Sequence, residues 1–99
     1  MARWTWDPEK ARTNLLSHKV SFQLAERIFG DPMIATKLDP YPREERWQSV
    51  GQPSAGSHVT LFVVHTDPAI QPDGEEEGRI ISARRATSHE RKEYEKGQF

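Results

Sequence analysis

The stretch R-I-I-S-A-R-R-A-T-S-H-E-R-K-E-Y-E, residues 79–95, joins a clear strand pattern to a clear helix start. Its first part, residues 79–86, places isoleucines between arginines, as expected for a short β-strand. Thr87 can then accept hydrogen bonds from the first N–H groups of a helix that begins at Ser88, and Glu90 can complete a capping box. The sequence therefore predicts a strand that leads directly into a C-terminal helix.

The same stretch concentrates positive charge. Between residues 79 and 92, five basic side chains oppose one glutamate, a net charge of +4 in a chain whose formal net charge is −1. A protein with a pI of about 6.4 is not expected to bind nucleic acid through its overall charge. Any such binding must therefore depend on a local basic patch.

The composition indicates one small domain. The chain has 99 residues, of which 34% are hydrophobic, and we assign residues 1–99 to a single domain with one two-layer core. It contains no cysteine, which excludes disulfides and thiolate chemistry. We see no secretory signal and no apolar run near the roughly 20 residues of a membrane helix. We therefore expect a cytoplasmic protein without a membrane partner.

The N-terminal third predicts a strand and two helices. Trp4-Thr5-Trp6 alternates with the period of a strand. Asp7-Pro8 then supplies a cap and a first-turn proline for a helix that ends near Ser17. Ser21 is a plausible cap for a second helix, and Gly30-Asp31-Pro32 ends it.

Three further strands are predicted, at residues 33–38, 45–50 and 58–66. The last is apolar on both faces, which is typical of a central strand. Residues 67–78, D-P-A-I-Q-P-D-G-E-E-E-G, are expected to form a mobile acidic loop because they are too polar and too interrupted to pack. The order indicates an α+β fold: an antiparallel sheet of four to five strands, two N-terminal helices and one C-terminal helix, with the helices on one face.

Short pieces of sequence along nearly the whole chain carry a resemblance to a known family. They are W-D-P-E-K at 6–10, Asn14, H-K-V-S-F at 18–22, Ala25, F-G-D-P at 29–32, E-E-R-W at 44–47, Gly51, Ser54, V-V-H-T at 63–66 and R-I-I-S-A-R-R-A-T at 79–87. No single piece is specific. In their number, order and spacing they resemble the BrnT toxins of bacterial type II toxin–antitoxin systems.

The resemblance implies a fold similar to that of the RelE-type ribonucleases and an RNA-cleaving toxin that inhibits translation. It also implies a ribbon-helix-helix antitoxin, in a heterotetramer, that neutralises the toxin and connects the pair to promoter DNA. Three features depart from the family: Lys19 replaces the usual glycine, His58 replaces the usual basic residue, and the loop before Arg79 is longer and more acidic.

Cleavage of RNA without a metal needs a base for the 2′-hydroxyl, an acid for the 5′-oxygen and cations for the charge that develops on the phosphate. Arginine forks bind phosphate and stay charged, so Arg79, Arg84 and Arg46 are candidates for a phosphate clamp. We expect Arg79 and Arg84 to contribute to RNA turnover rather than to folding. The alternative is that these arginines are solvated or paired with Glu44, Glu45 and Glu90.

His65 and Glu45 are the candidate proton-transfer groups. A histidine at the end of the central strand can titrate near neutral pH, and Glu45 can act as the base if an arginine holds it ionised. The alternative for His65 is a packed, hydrogen-bonded position in the core.

Four further basic residues are candidate RNA contacts: Lys10, His18, Arg85 and Arg91. Lys10 and His18 share one helical stripe, whereas strand alternation places Arg85 on the sheet face opposite to Arg84. The four histidines lie far apart in the sequence, so neither a metal site nor another cofactor is predicted. A non-catalytic interaction module and a general RNA-binding domain are the competing functions.

Overall fold

The computed structural model describes residues 2–99 and confirms the α+β class. Its elements, in order, are β1 (Arg3–Thr5), α1 (Pro8–His18), α2 (Phe22–Glu26), a 3₁₀ helix (Arg27–Gly30), β2 (Ala35–Leu38), β3 (Trp47–Gly51), β4 (Leu61–His65), β5 (Ala69–Ile70), β6 (Glu76–Arg85) and α3 (Ser88–Lys96). Within residues 2–99, no helix is long and apolar enough to cross a membrane.

Side-chain caps start all three α-helices where the sequence predicts them. The Asp7 carboxylate accepts the Glu9 N–H at the start of α1, and the Ser21 hydroxyl accepts the Leu24 N–H at the start of α2. Thr87 and Glu90 form the complete capping box of α3. Each cap satisfies a backbone donor that the first helical turn leaves without a partner, so these boundaries are local properties of the sequence.

Within residues 2–99 the sheet is mixed rather than purely antiparallel, and it has six strands. The strand order is β1-β6-β4-β3-β2, with β5 paired to β6. The pairs among β2, β3, β4 and β6 are antiparallel, but β1 runs parallel to β6. Gly78 allows this pairing, because a Cβ at that position would overlap the Trp4 ring. The parallel strand β1 therefore depends on a long-range contact that local patterns do not reveal.

The acidic segment is more ordered than predicted. Within residues 67–78, β5 pairs with Glu76 and Glu77 at the start of β6. Arg3 on β1 forms ion pairs with Asp73 and Glu77. The prediction of an acidic loop over residues 67–78 is therefore wrong where β5 and the start of β6 lie, because Arg3 and the edge of the sheet provide partners for these polar residues.

The helices cover both faces of the sheet, so the prediction of helices on one face is also wrong. On one side, called the α1 face, Leu61, Val63, Ile80 and Ala83 pack against α1 and α2. On the other, called the α3 face, Val50 and Phe62 pack against Tyr94 of α3. The two apolar faces of β4 are thus each buried under helix.

Candidate active site

Glu44 joins two arginines at one end of the α3 face. Arg46 Nε donates to Glu44 Oε1 at 2.9 Å. Arg79 Nη2 donates to Oε1 at 3.0 Å and to Oε2 at 3.3 Å. The Arg46 guanidinium also stacks on Tyr41, with 3.8 Å between its central carbon and the ring centroid. We call these four residues the Glu44 cluster.

The strands explain why Arg79 reaches this position. Arg79 precedes Ile80, which is buried on the α1 face, so alternation directs the Arg79 side chain to the α3 face. Its backbone is fixed by β6, where its N–H donates to the Thr66 hydroxyl. Arg46 and Glu44 come from the segment just before β3, two strands away in the sheet order. The sheet therefore brings together residues 35 positions apart.

The arginines of the Glu44 cluster keep free hydrogen-bond donors. Arg46 uses only Nε and Arg79 uses only Nη2 for hydrogen bonds to other side chains in residues 2–99. Each guanidinium has five N–H donors, so most of them have no side-chain acceptor in residues 2–99. The Arg79 side chain is 45% exposed. The cluster can therefore bind an oxyanion without first breaking its own contacts.

Glu44 is held in its ionised form. The Arg46 hydrogen bond, helped by Arg79, lowers the pKa of the Glu44 carboxyl and outweighs the opposing effect of desolvation. At neutral pH the cluster thus contains two cations and one anion.

Arg84 lies about 15 Å further along β6, given the rise of a strand, and its setting differs. Arg84 Nη1 and Nη2 donate to the two Glu90 oxygens at 2.8 and 3.0 Å. The guanidinium covers the Phe62 ring at 4.0 Å, and Glu90 also accepts the Thr87 N–H. Arg84 therefore links β6, the α3 cap and the core of the α3 face. We call this contact the Arg84–Glu90 pair.

Arg85 and Arg91 belong neither to the Glu44 cluster nor to the Arg84–Glu90 pair. Arg85 pairs in register with Leu61, and Arg84 pairs with Phe62. Because Leu61 and Phe62 belong to different cores, Arg85 is directed to the α1 face, as strand alternation predicts. Arg91 is exposed on α3.

His65 is packed in the core of the α1 face. It is 5% exposed, and Trp4 and Phe29 contact its ring edge-on. Nε2 lies 2.7 Å from the Ser49 hydroxyl and Nδ1 lies 2.8 Å from the Thr66 carbonyl oxygen. Burial lowers the pKa of His65, despite the Thr66 contact. The structure therefore does not bring His65 to the arginines, and both ring nitrogens are already used.

Glu45 is exposed and also stands apart from the arginines. Its Oε1 accepts the Trp47 indole N–H at 3.2 Å, and no arginine in residues 2–99 contacts it. The neighbouring Glu44, rather than Glu45, satisfies the condition that an arginine holds the carboxylate ionised. The sequence predicts Glu44 only as a pairing partner for an arginine, because the motif E-E-R-W contains no local signal that separates its two glutamates.

Lys10 and His18 line a groove of about 340 Å³ between α1 and Ile81 of β6. Asn14, between them on the helix, is buried and structural. Its amide donates to the carbonyls of Val20 and Ala83 and accepts the Ala83 N–H. Asn14 thus attaches α1 to β6. Of the three polar residues on this helical stripe, Asn14 is structural, whereas Lys10 and His18 are available to bind ligands.

No three metal-binding side chains of His, Asp or Glu come close enough together in residues 2–99 to hold a metal ion. The two cationic groups of the Glu44 cluster are the guanidiniums of Arg46 and Arg79.

Comparisons with known proteins agree with the fold. The family model described as "Ribonuclease toxin, BrnT, of type II toxin-antitoxin system" matches residues 6–90. The chain is also similar to the 1.1 Å crystal structure of the Brucella abortus ribonuclease toxin BrnT, with a TM-score of 0.58 and 20% identity, covering 89% of this chain and 100% of that chain. No match is found among curated proteins. The chain belongs to the BrnT family of ribonuclease toxins of type II toxin–antitoxin systems.

Proposed function

We propose that this chain is a metal-independent endoribonuclease that inhibits translation by cleaving RNA at the Glu44 cluster. The family implies endoribonuclease activity. The observation that carries the assignment of the site is the convergence of Arg46 and Arg79 on one carboxylate, with unused donors on both guanidiniums. We place the activity in the cytoplasm, where the RNA substrate is found.

The chemistry of the cluster suits a phosphodiester. Two guanidiniums can bind the non-bridging oxygens of one phosphate and stabilise the additional negative charge of the transition state. Arginine supplies this charge without a metal ion. Stacking on Tyr41 restrains the Arg46 guanidinium, so less conformational entropy is lost when it binds.

Digestion of a single-stranded RNA by the purified chain, with and without EDTA, tests this function. We expect cleavage at an equal rate in both conditions and none after the double substitution Arg46→Ala/Arg79→Ala. Arg85→Ala is the matched control, because Arg85 faces the other side of the sheet. Cleavage that EDTA abolishes would contradict metal independence, and unchanged cleavage by the double variant would contradict the site.

A non-catalytic interaction module is the second candidate, and one observation favours it. The three arginines placed above on the α3 face each form an ion pair with a glutamate: Arg46 and Arg79 with Glu44, and Arg84 with Glu90. A surface of satisfied ion pairs is an ordinary structural feature. Expression of the chain alone in bacteria separates the two candidates, since only the enzyme is expected to stop growth and degrade RNA.

The partner we propose is a ribbon-helix-helix antitoxin in a heterotetramer, which brings the toxin to promoter DNA without direct toxin–DNA contact. The family implies an antitoxin. We expect acidic residues of this antitoxin to occupy the donors that RNA phosphates use, so that inhibition and substrate binding share the Glu44 cluster.

A binding titration across salt concentrations tests the shared site. We expect Arg79→Glu to weaken antitoxin binding and to reduce its salt dependence, while Arg85→Glu leaves both unchanged. Equal effects of the two variants would indicate that the antitoxin binds elsewhere.

A further inference from the structure

We propose that Glu44 is the catalytic base of this site, an assignment that rests on the proposed function. Its two carboxylate oxygens are used unequally. Oε1 accepts from Arg46 Nε and Arg79 Nη2, at 2.9 and 3.0 Å, whereas Oε2 has only the 3.3 Å contact with Arg79. The Glu44 side chain is 37% exposed. Oε2 therefore keeps lone pairs that are open to a substrate proton.

The position of the carboxylate fits the substrate. A phosphate bound by the unused donors of Arg46 and Arg79 must lie beside Glu44, because both guanidiniums are anchored on that carboxylate. In RNA the 2′-hydroxyl is adjacent to the 3′-phosphate on the same ribose. A base next to the phosphate clamp is therefore within reach of the hydroxyl that must lose its proton.

The step is a transesterification. Glu44 Oε2 takes the proton of the 2′-hydroxyl, and the 2′-oxygen forms a bond to phosphorus. The bond from phosphorus to the 5′-oxygen breaks, its electron pair stays on that oxygen, and a water molecule protonates it. The hydroxide that remains takes the proton from Glu44. The products end in a 2′,3′-cyclic phosphate and a 5′-hydroxyl, and the carboxylate is regenerated.

The paired arginines keep Glu44 ready for this role at neutral pH. The Arg46 hydrogen bond lowers the pKa of the Glu44 carboxyl, so it is ionised well before RNA binds. Glu45, the adjacent residue, lacks an arginine partner in residues 2–99 and accepts only from Trp47. It is the matched control, with the same side chain one position away.

The experiment compares Glu44→Gln and Glu45→Gln. Single-turnover cleavage of an RNA oligonucleotide gives the rate, and fluorescence anisotropy with a 2′-O-methyl analogue, which cannot be cleaved, gives binding. Glutamine keeps the size and one acceptor oxygen of Glu44 but is not a base. We expect Glu44→Gln to slow cleavage by about 100-fold or more and to bind the analogue at least as tightly as wild type. Glu45→Gln should stay within about twofold of wild type in both measurements.

The pH profile provides an independent readout. The wild-type rate should fall in acid with a slope of one as Glu44 is protonated, and Glu44→Gln should lack this acid limb. If Glu44→Gln fails to fold, as judged by its melting curve, Glu44→Asp replaces it. We expect this variant to retain the acid limb at a reduced rate.

Three results would overturn the assignment. They are near-wild-type cleavage by Glu44→Gln, loss of analogue binding together with cleavage, and products that end in a 3′-hydroxyl. In each case the wild-type chain still cuts RNA, so the proposed function survives and only the base is reassigned. A wild-type chain that cuts no RNA would instead overturn the proposed function, and the assignment of Glu44 with it.

Discussion

Strand β6 carries two arginines on the α3 face, Arg79 in its N-terminal half and Arg84 at its C-terminal end, and their contacts differ. Arg79 gives one nitrogen to a loop glutamate and is 45% exposed. Arg84 gives two nitrogens to Glu90, stacks on Phe62 and is 35% exposed. A guanidinium with unused donors can serve a ligand, whereas one that is satisfied by its own fold mainly stabilises that fold. The sequence alone does not distinguish the two residues, because each is an arginine in the same predicted strand.

The largest expected effect is on catalysis at the Arg79 end. We expect Arg79→Ala to reduce RNA cleavage by about 100-fold, because it removes a donor to the charge that develops on the phosphate. Its melting temperature should change little, since an exposed ion pair contributes little to stability. Cleavage assays and thermal melting measure the two quantities. If Arg79→Ala lost much stability but no cleavage, Arg79 would behave as Arg84 is expected to behave, and the two arginines would not differ in role.

The second effect is on stability at the Arg84 end. Arg84→Ala removes two charge-assisted hydrogen bonds and leaves Glu90 without its arginine. We expect a loss of about 2 kcal/mol of folding free energy, or roughly 10 °C in melting temperature for a domain of this size. Below the melting transition, cleavage should fall less than in Arg79→Ala. If Arg84→Ala loses stability but largely keeps cleavage, the sequence-based expectation that Arg84 contributes to turnover and not to folding is contradicted. If it keeps its stability and loses cleavage, that expectation is supported.

The third effect concerns His65 on the opposite face. Burial lowers the pKa of His65, so the unfolded chain binds a proton that the folded chain does not. We therefore expect the free energy of unfolding to decrease as the pH falls below about 6.5, by at most about 1.4 kcal/mol per pH unit.

Denaturant titrations between pH 5 and 8 measure this dependence. His65→Gln should flatten it, whereas His18→Gln, at an exposed position, should retain it. If the wild-type cleavage rate follows the same titration, and His65→Gln loses cleavage without a change in stability, His65 is a catalytic residue.

The smallest expected effect is at Arg3. Its ion pairs with Asp73 and Glu77 lie at the surface, so Arg3→Ala should change the melting temperature very little. Cleavage should stay within about twofold of wild type, because neither carboxylate contacts Arg79. A strong loss of RNA binding in this variant would indicate that Arg3 keeps the acidic segment away from the phosphate path.

The features that could be predicted are those that depend on contacts between residues close together in the sequence. The helix caps at Asp7, Ser21 and Thr87 were predicted because each satisfies N–H groups within three residues of itself. The two apolar faces of β4 were also recognised, and their cover by helices on both sides follows from that pattern. Helices on one face alone would leave one of the two apolar faces of β4 exposed to solvent.

The missed features depend on contacts between residues far apart in the sequence. The parallel β1–β6 pair, the hairpin at β5 and the position of Glu44 all arise where the fold joins distant segments. Nothing in the motif E-E-R-W indicates which glutamate turns towards Arg79. The similarity to RelE-type ribonucleases and the individual catalytic roles stay predictions.

The most direct test of the difference between the two ends of β6 is an NMR titration of the arginine guanidinium N–H signals with a 2′-O-methyl RNA. We expect the Arg46 and Arg79 signals to shift together as RNA is added, because phosphate binds to those guanidiniums. The Arg84 signal should stay in place, since Glu90 already occupies its fork. A shift of Arg84 alone, with Arg46 and Arg79 unchanged, would contradict the account.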